Sequence, residues 1–126
     1  MAKSILRDKS YSFALKVIRL YKQLCEEKKE FTLSRQLLKA GTSPGANLRE
    51  AQFAQSTADL IAKYSIALKE INETNYWLEL LRDSGYITEE QAETLIFDAT
   101  EILKMLITAI KSLKGITQNQ SLKPKP

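Results

Sequence analysis

The run Ala40-Gly41-Thr42-Ser43-Pro44-Gly45-Ala46 decides whether this chain folds as four helices or five. Inside a helix each Gly costs about 1 kcal/mol and Pro about 3 kcal/mol relative to Ala, so a continuous helix here needs a tertiary contact to offset them. One reading makes Ser43 an N-cap and Pro44 the first position of a new helix. The other leaves Pro44 as a kink within a single helix. The apolar positions favour the second: Leu33, Leu37, Ala40, Pro44, Leu48 and Ala51 recur at steps of three or four and keep their phase across the proline. The pattern predicts one helix from about Thr32 to Ala54. Its middle is narrow enough to let a neighbour approach closely.

Outward from that run, three further segments carry a period near 3.6. From about Lys9 to Glu27, Phe13, Val17, Leu20, Tyr21 and Leu24 gather on one side, while Lys9, Lys16, Arg19 and Lys22 point the other way. A third helix opens at Ser56, a capping residue with Asp59 in its first turn, and closes at Ser84-Gly85, where Gly85 suits the left-handed C′ position. Leu60, Ile61, Tyr64, Leu68, Ile71, Asn75 and Leu78 form its main stripe, and Ile66, Trp77 and Leu80, with Tyr76 nearby, face roughly the opposite way. The fourth begins at the capping-box pattern Thr88-Glu89-Glu90-Gln91 and carries Ala92, Leu95, Ile96, Ala99, Ile102, Leu103, Leu106, Ile110 and Leu113 along one face to Gly115. Short connections make sequential helices antiparallel neighbours, so the expected fold is all-α, an up-down-up-down four-helix bundle over residues 1–115. Residues 116–126, ending Lys123-Pro124-Lys125-Pro126, read as a flexible tail with too little apolar content to fold.

Composition narrows the chemistry. The 126 residues include no His, so no Ser-His-Asp or Cys-His nucleophile, His-ligated zinc or Glu-x-x-His di-iron site can be built. No enzyme, cofactor, metal or small-molecule substrate is expected. Cys25 is the single cysteine, which excludes an intrachain disulfide and suits a reducing cytoplasm. No signal-peptide core occupies Met1 to Arg7, and no stretch approaches the roughly 18 apolar residues of a membrane span. A soluble cytoplasmic protein is expected.

The run Gly41-Thr42-Ser43-Pro44-Gly45-Ala46-Asn47-Leu48-Arg49-Glu50-Ala51, followed by Ser56, Asp59, Lys63 and the stretch from Leu68 to Leu81, resembles the four-helix-bundle family encoded in 23S rRNA intervening sequences. That family is often catalogued as a ribosomal protein and is related to the accessory proteins of diversity-generating retroelements. The resemblance covers about residues 8 to 114, and its most specific piece is Ser-x-x-x-Asn-x-x-Glu, here Ser43, Asn47 and Glu50. Pro44 departs from a usual β-branched residue and Ala51 from a frequent Gly. The resemblance implies an antiparallel bundle, a barrel-like homopentamer and no established enzymatic activity. It also implies that the ribosomal label reflects genomic position in some members. The retroelement relatives bind nucleic acid and a reverse transcriptase, and no residue of this chain carries that role across.

Three sets of residues are candidates for function. Residues 1–63 hold 12 Lys+Arg against 6 Asp+Glu, while residues 64–126 hold 7 against 9, so the basic excess lies on the first two helices. Lys9, Lys16, Arg19, Lys22, Arg35, Lys39 and Arg49 would there form a surface for the phosphates of RNA or DNA, with an ordinary solvated helix face as the competing reading. Ser43, Asn47 and Glu50 border the apolar stripe and need hydrogen-bond partners, expected from Glu70 and Thr74 on the third helix or from a neighbouring subunit. Ile66, Tyr76, Trp77 and Leu80 read as an oligomer interface, because a bundle buries one stripe per helix and this one is left over; the competing reading is a bundle skewed enough to bury both sides of that helix. Gly41-x-x-x-Gly45 lacks the Gly-Lys-Ser/Thr of a phosphate loop. The function expected is a non-enzymatic oligomeric scaffold with a nucleic-acid-binding surface; the alternative is a protein–protein interaction module without nucleic acid.

Overall fold

A computed structural model describes residues 4–122, with side chains as far as residue 116. Four helices follow one another, α1 (Ile5–Glu27), α2 (Leu33–Ala51), α3 (Thr57–Asp83) and α4 (Glu89–Leu122), and the described residues contain no strand. Each helix packs on its neighbours in sequence and α4 closes on α1, whereas among the described residues the backbones of α1 and α3, and of α2 and α4, do not approach closely. The result is the expected antiparallel up-down-up-down bundle.

The helix ends are fixed by local chemistry. Ser4 caps α1 by accepting the Arg7 amide at 3.2 Å, which starts the helix at Ile5 rather than near Lys9 and brings Leu6 into the core. Ser56 Oγ accepts the Asp59 amide at 3.0 Å, and Asp59 Oδ2 accepts the Gln55 amide at 3.1 Å. Thr88 and Gln91 form both halves of their capping box, at 3.1 and 2.9 Å. At the end of α3, Tyr86 N–H reaches the Leu81 carbonyl and Gly85 N–H the Arg82 carbonyl, with Gly85 at φ +84°. That is a Schellman motif, for which a residue without Cβ is the low-strain choice.

Helix α2 is continuous, with Pro44 buried inside it. The offset required by the small-residue run comes from α1: a Cβ on Gly41 would lie 2.7 and 2.8 Å from the two Val17 methyl groups, so α1 occupies the space a side chain would take. Gly45 is different, since a Cβ there would meet the Ser10 carbonyl oxygen at an ordinary 3.6 Å. Helix α2 starts where expected, at Leu33 after Thr32, but a residue outside it fixes that start. Thr32 makes no side-chain cap, and the buried Glu30 carboxylate instead accepts the amides of Thr32, Leu33 and Ser34 at 3.0, 2.8 and 2.7 Å. The helix ends at Ala51, followed by a tightened turn through Phe53.

The core runs the length of the bundle, with Phe13, Val17 and Leu24 from α1, Leu37 and Leu48 from α2, Ile71, Leu78 and Leu81 from α3, and Leu95, Ile102 and Leu106 from α4. Helix α4 corrects the expectation of a tail beginning at residue 116: it passes Gly115 and continues to Leu122, at 1.5 Å per residue a length of about 51 Å. Residues 123–126 lie outside the described residues.

Candidate interaction surfaces

The bundle divides the seven cations of the expected basic surface. Lys9 Nζ lies 3.4 Å from Glu101 Oε2 and Lys16 Nζ lies 2.6 Å from Asp98 Oδ2, so both are ion-paired to α4. Arg19 lines a cleft of about 500 Å³ between α1 and α4 that also holds Gln23, Glu90 and Gln91. Lys9 and Lys16 therefore belong to the α1–α4 seam, and Arg19 stands exposed at its edge with no ion pair among the described residues. Heptad spacing puts Lys9, Lys16 and Gln23 on one line of α1, but the sequence did not reveal that α4 would set Glu101, Asp98 and Gln91 opposite them. The Gln91 amide donates to Gln23 Oε1 at 3.2 Å.

Lys22, Arg35, Lys39 and Arg49 remain exposed, and among the described residues none of them enters an ion pair. Arg35 lies close enough to α1 to act on Tyr21. The hydrogen bond to Cys25 pushes the Tyr21 phenol up, the Cys25 charge and burial add to the rise, and the Arg35 guanidinium opposes it. With Val17 level with Gly41 and Ser10 level with Gly45, α1 and α2 run antiparallel in close register. From Arg35 to Arg49 the cations of α2 span about 21 Å along the helix axis.

The polar set does not form the expected bridge between helices. Asn47 Nδ2 donates to the Ser43 carbonyl at 3.1 Å and to Ser43 Oγ at 3.3 Å, and the buried Thr74 hydroxyl donates to the Glu70 carbonyl at 2.7 Å. Each pair is internal to its own helix. Glu50 is exposed and makes no hydrogen bond to Ser43, so no nucleophile and base are brought together there. Backbone carbonyls one turn back satisfy these groups, a local solution open to Thr and Asn in any helix.

The second face of α3 is partly open. Ile66 is 43% exposed and Tyr76 54%, while Trp77 and Leu80 are half-buried and Trp77 packs against the core. The Trp77 indole donates to Glu73 Oε1 at 3.3 Å, and the Tyr76 ring meets it edge-on with centroids 5.1 Å apart. Among the described residues no group of His, Cys, Asp and Glu is clustered to hold a metal ion. No described helix is long and apolar enough to cross a membrane.

The model of the 23S rRNA-intervening sequence protein family matches residues 2–108. The chain belongs to that family. A crystal structure of a protein of unknown function from the S23 ribosomal protein family of Bacteroides thetaiotaomicron VPI-5482 is 57% identical to it. The likeness covers 85% of this chain and 99% of that one, with a TM-score of 0.84. No curated protein matches. The likeness at this identity agrees with the four-helix fold, and neither comparison indicates an enzymatic family.

Proposed function

We propose that this protein is a non-enzymatic cytoplasmic scaffold that binds nucleic acid through the outer face of α1 and α2. The observation that carries this reading is the group Lys22, Arg35, Lys39 and Arg49, exposed and without a carboxylate partner among the described residues. Unpaired cations can exchange their counterions for phosphates, which makes binding fall steeply with salt. Copies of the chain present this face several times over, and multivalency strengthens a modest patch. The test is retention of RNA or DNA at low and moderate salt by the wild type and by an Arg35→Glu/Lys39→Glu/Arg49→Glu variant. Loss of retention in the variant supports the reading, and equal retention removes it.

Self-association belongs to the same proposal, with the homopentamer of the family as its expected form. Ile66 and Tyr76 are exposed on the side of α3 turned from the core, with Trp77 and Leu80 beside them. The same face supports the second reading, a protein–protein module without nucleic acid, because a hydrophobic partner site lacks the steep salt dependence of phosphate binding. Because Trp77 packs against the core, the variant that tests the interface is Ile66→Glu/Tyr76→Glu, with native mass as the readout. A single 14.3 kDa unit for the wild type at micromolar concentration would end the oligomeric reading.

A further inference from the structure

The cations left unpaired on α1 and α2 are accompanied by exposed aromatic rings. Phe53 is 80% exposed in the turn that continues α2, four residues beyond Arg49. Phe31 is 52% exposed, four residues before Arg35. Between these two ends of α2, Tyr11 is 60% exposed on α1, next to Ser10 and so level with Gly45. An exposed aromatic by itself is ordinary. Rings at both ends and near the middle of a cationic row form a different pattern, because phosphates need only charge while bases need flat apolar faces on which to stack.

We propose that the nucleic acid taken by this face is single-stranded, with its backbone along Arg35, Lys39 and Arg49 and with bases stacked on Phe53, Tyr11 and Phe31. The inference rests on the nucleic-acid reading above and specifies its ligand. A duplex keeps its base faces in the stack and offers this surface only phosphates, so the rings would contribute nothing to holding it. A single strand presents both groups, and stacking tolerates any sequence because every base has a π-face.

The test compares a short fluorescent oligouridine with the same strand annealed to oligoadenine, at low salt, for four proteins: wild type, Tyr11→Ala/Phe53→Ala, Phe97→Ala and the triple Arg/Lys→Glu variant. Phe97 is 66% exposed on α4 and is the control for general stickiness. All the substituted residues are exposed, and circular dichroism confirms folding before binding is compared. The proposal expects the wild type to prefer the single strand by about tenfold or more, and the Tyr11/Phe53 variant to lose about tenfold on the single strand only. Phe97→Ala should match the wild type. Equal binding of strand and duplex, insensitive to Tyr11 and Phe53, overturns the single-strand inference and leaves the nucleic-acid reading standing. An equal loss in Phe97→Ala overturns the placement of the bases. Binding of neither probe overturns both.

Discussion

Helix α1 meets its two neighbours through seams of opposite character. Against α2 it is dry and close: Val17 fills the space where Gly41 would carry a side chain, and the backbone of Ser10 passes beside Gly45. Against α4 it is polar and open, with Lys9–Glu101, Lys16–Asp98 and Gln23–Gln91 bridging a seam that holds clefts of about 300 and 500 Å³. Close packing forfeits much of its energy when a fraction of an ångström is altered, whereas exposed ion pairs are screened and contribute little. Stability should therefore reside in the first seam and adaptability in the second.

The most severe way to break the contrast is at Gly41. Gly41→Ala places a methyl group within 2.8 Å of both Val17 methyls, and chemical denaturation should register a loss of about 2 kcal/mol, the strain of overpacking less the gain in helix propensity. Combining it with Val17→Ala should recover part of that loss, and strictly additive effects would mean that the two residues do not share one space.

Glu30, which ties the α1–α2 connection to the start of α2, ranks next. Glu30→Ala removes a carboxylate that accepts three amides and should cost about 2 kcal/mol in the same measurement. Burial pushes the Glu30 carboxyl up, but the amides of Leu33, Ser34 and Thr32 outweigh it and hold the carboxyl below its ordinary value. A value lowered by folding stabilises the native state fully above the ordinary 4.5, and the contribution fades as pH falls through the folded value. The wild type should lose more stability than Glu30→Gln on acidification below that point. Parallel curves would assign the acid response to other groups.

Two smaller effects sharpen the comparison. Gly45→Ala introduces only an ordinary contact with Ser10 and should raise stability by about 0.5–1 kcal/mol through helix propensity, the reverse of its neighbour one turn away. A double-mutant cycle on Lys16 and Asp98 should return about 0.5 kcal/mol or less and shrink with added salt. A coupling several times larger would make the α1–α4 seam a structural one.

Much of the fold was legible because its signals are local. Ser56, Thr88 and Gly85 act within one turn of themselves, and the sequence places all three correctly. The unbroken phase of Leu37, Ala40, Pro44 and Leu48 likewise foretold that α2 would continue through its proline. Less of the candidate surface was legible. Lys9, Lys16 and Lys22 carry the same charge, and only the packing of α4 beside the line of Lys9 and Lys16 shows which of them are paired. Asn47 is expected to pair with Glu70 or Thr74 on α3 or with a neighbouring subunit, yet within the chain Asn47 and Thr74 each bond to their own helix. The role of Glu30 is not written in the sequence, because the reach of a glutamate two residues before the cap position depends on the turn that carries it.

By itself the sequence determined the number of helices, their order, the inward faces of α1, α2 and α4 and the family to which the chain belongs, because periodicity, caps and a contiguous motif are written within a few residues of one another. On α3, apolar on two sides, periodicity pointed to Leu60, Ile61, Tyr64, Leu68 and Asn75 besides Ile71 and Leu78, where the buried face is Ala67, Ile71, Thr74, Leu78 and Leu81. The tertiary structure alone decided which side chains meet across a seam: that Gly41 is occupied by Val17, that two lysines are neutralised by α4, and that Lys22, Arg35, Lys39 and Arg49 are left facing solvent. Such meetings depend on helix register and on rotation about the helix axis. A shift of one residue turns a side chain by about 100° and replaces one partner with another, and no short-range pattern in the chain records that angle.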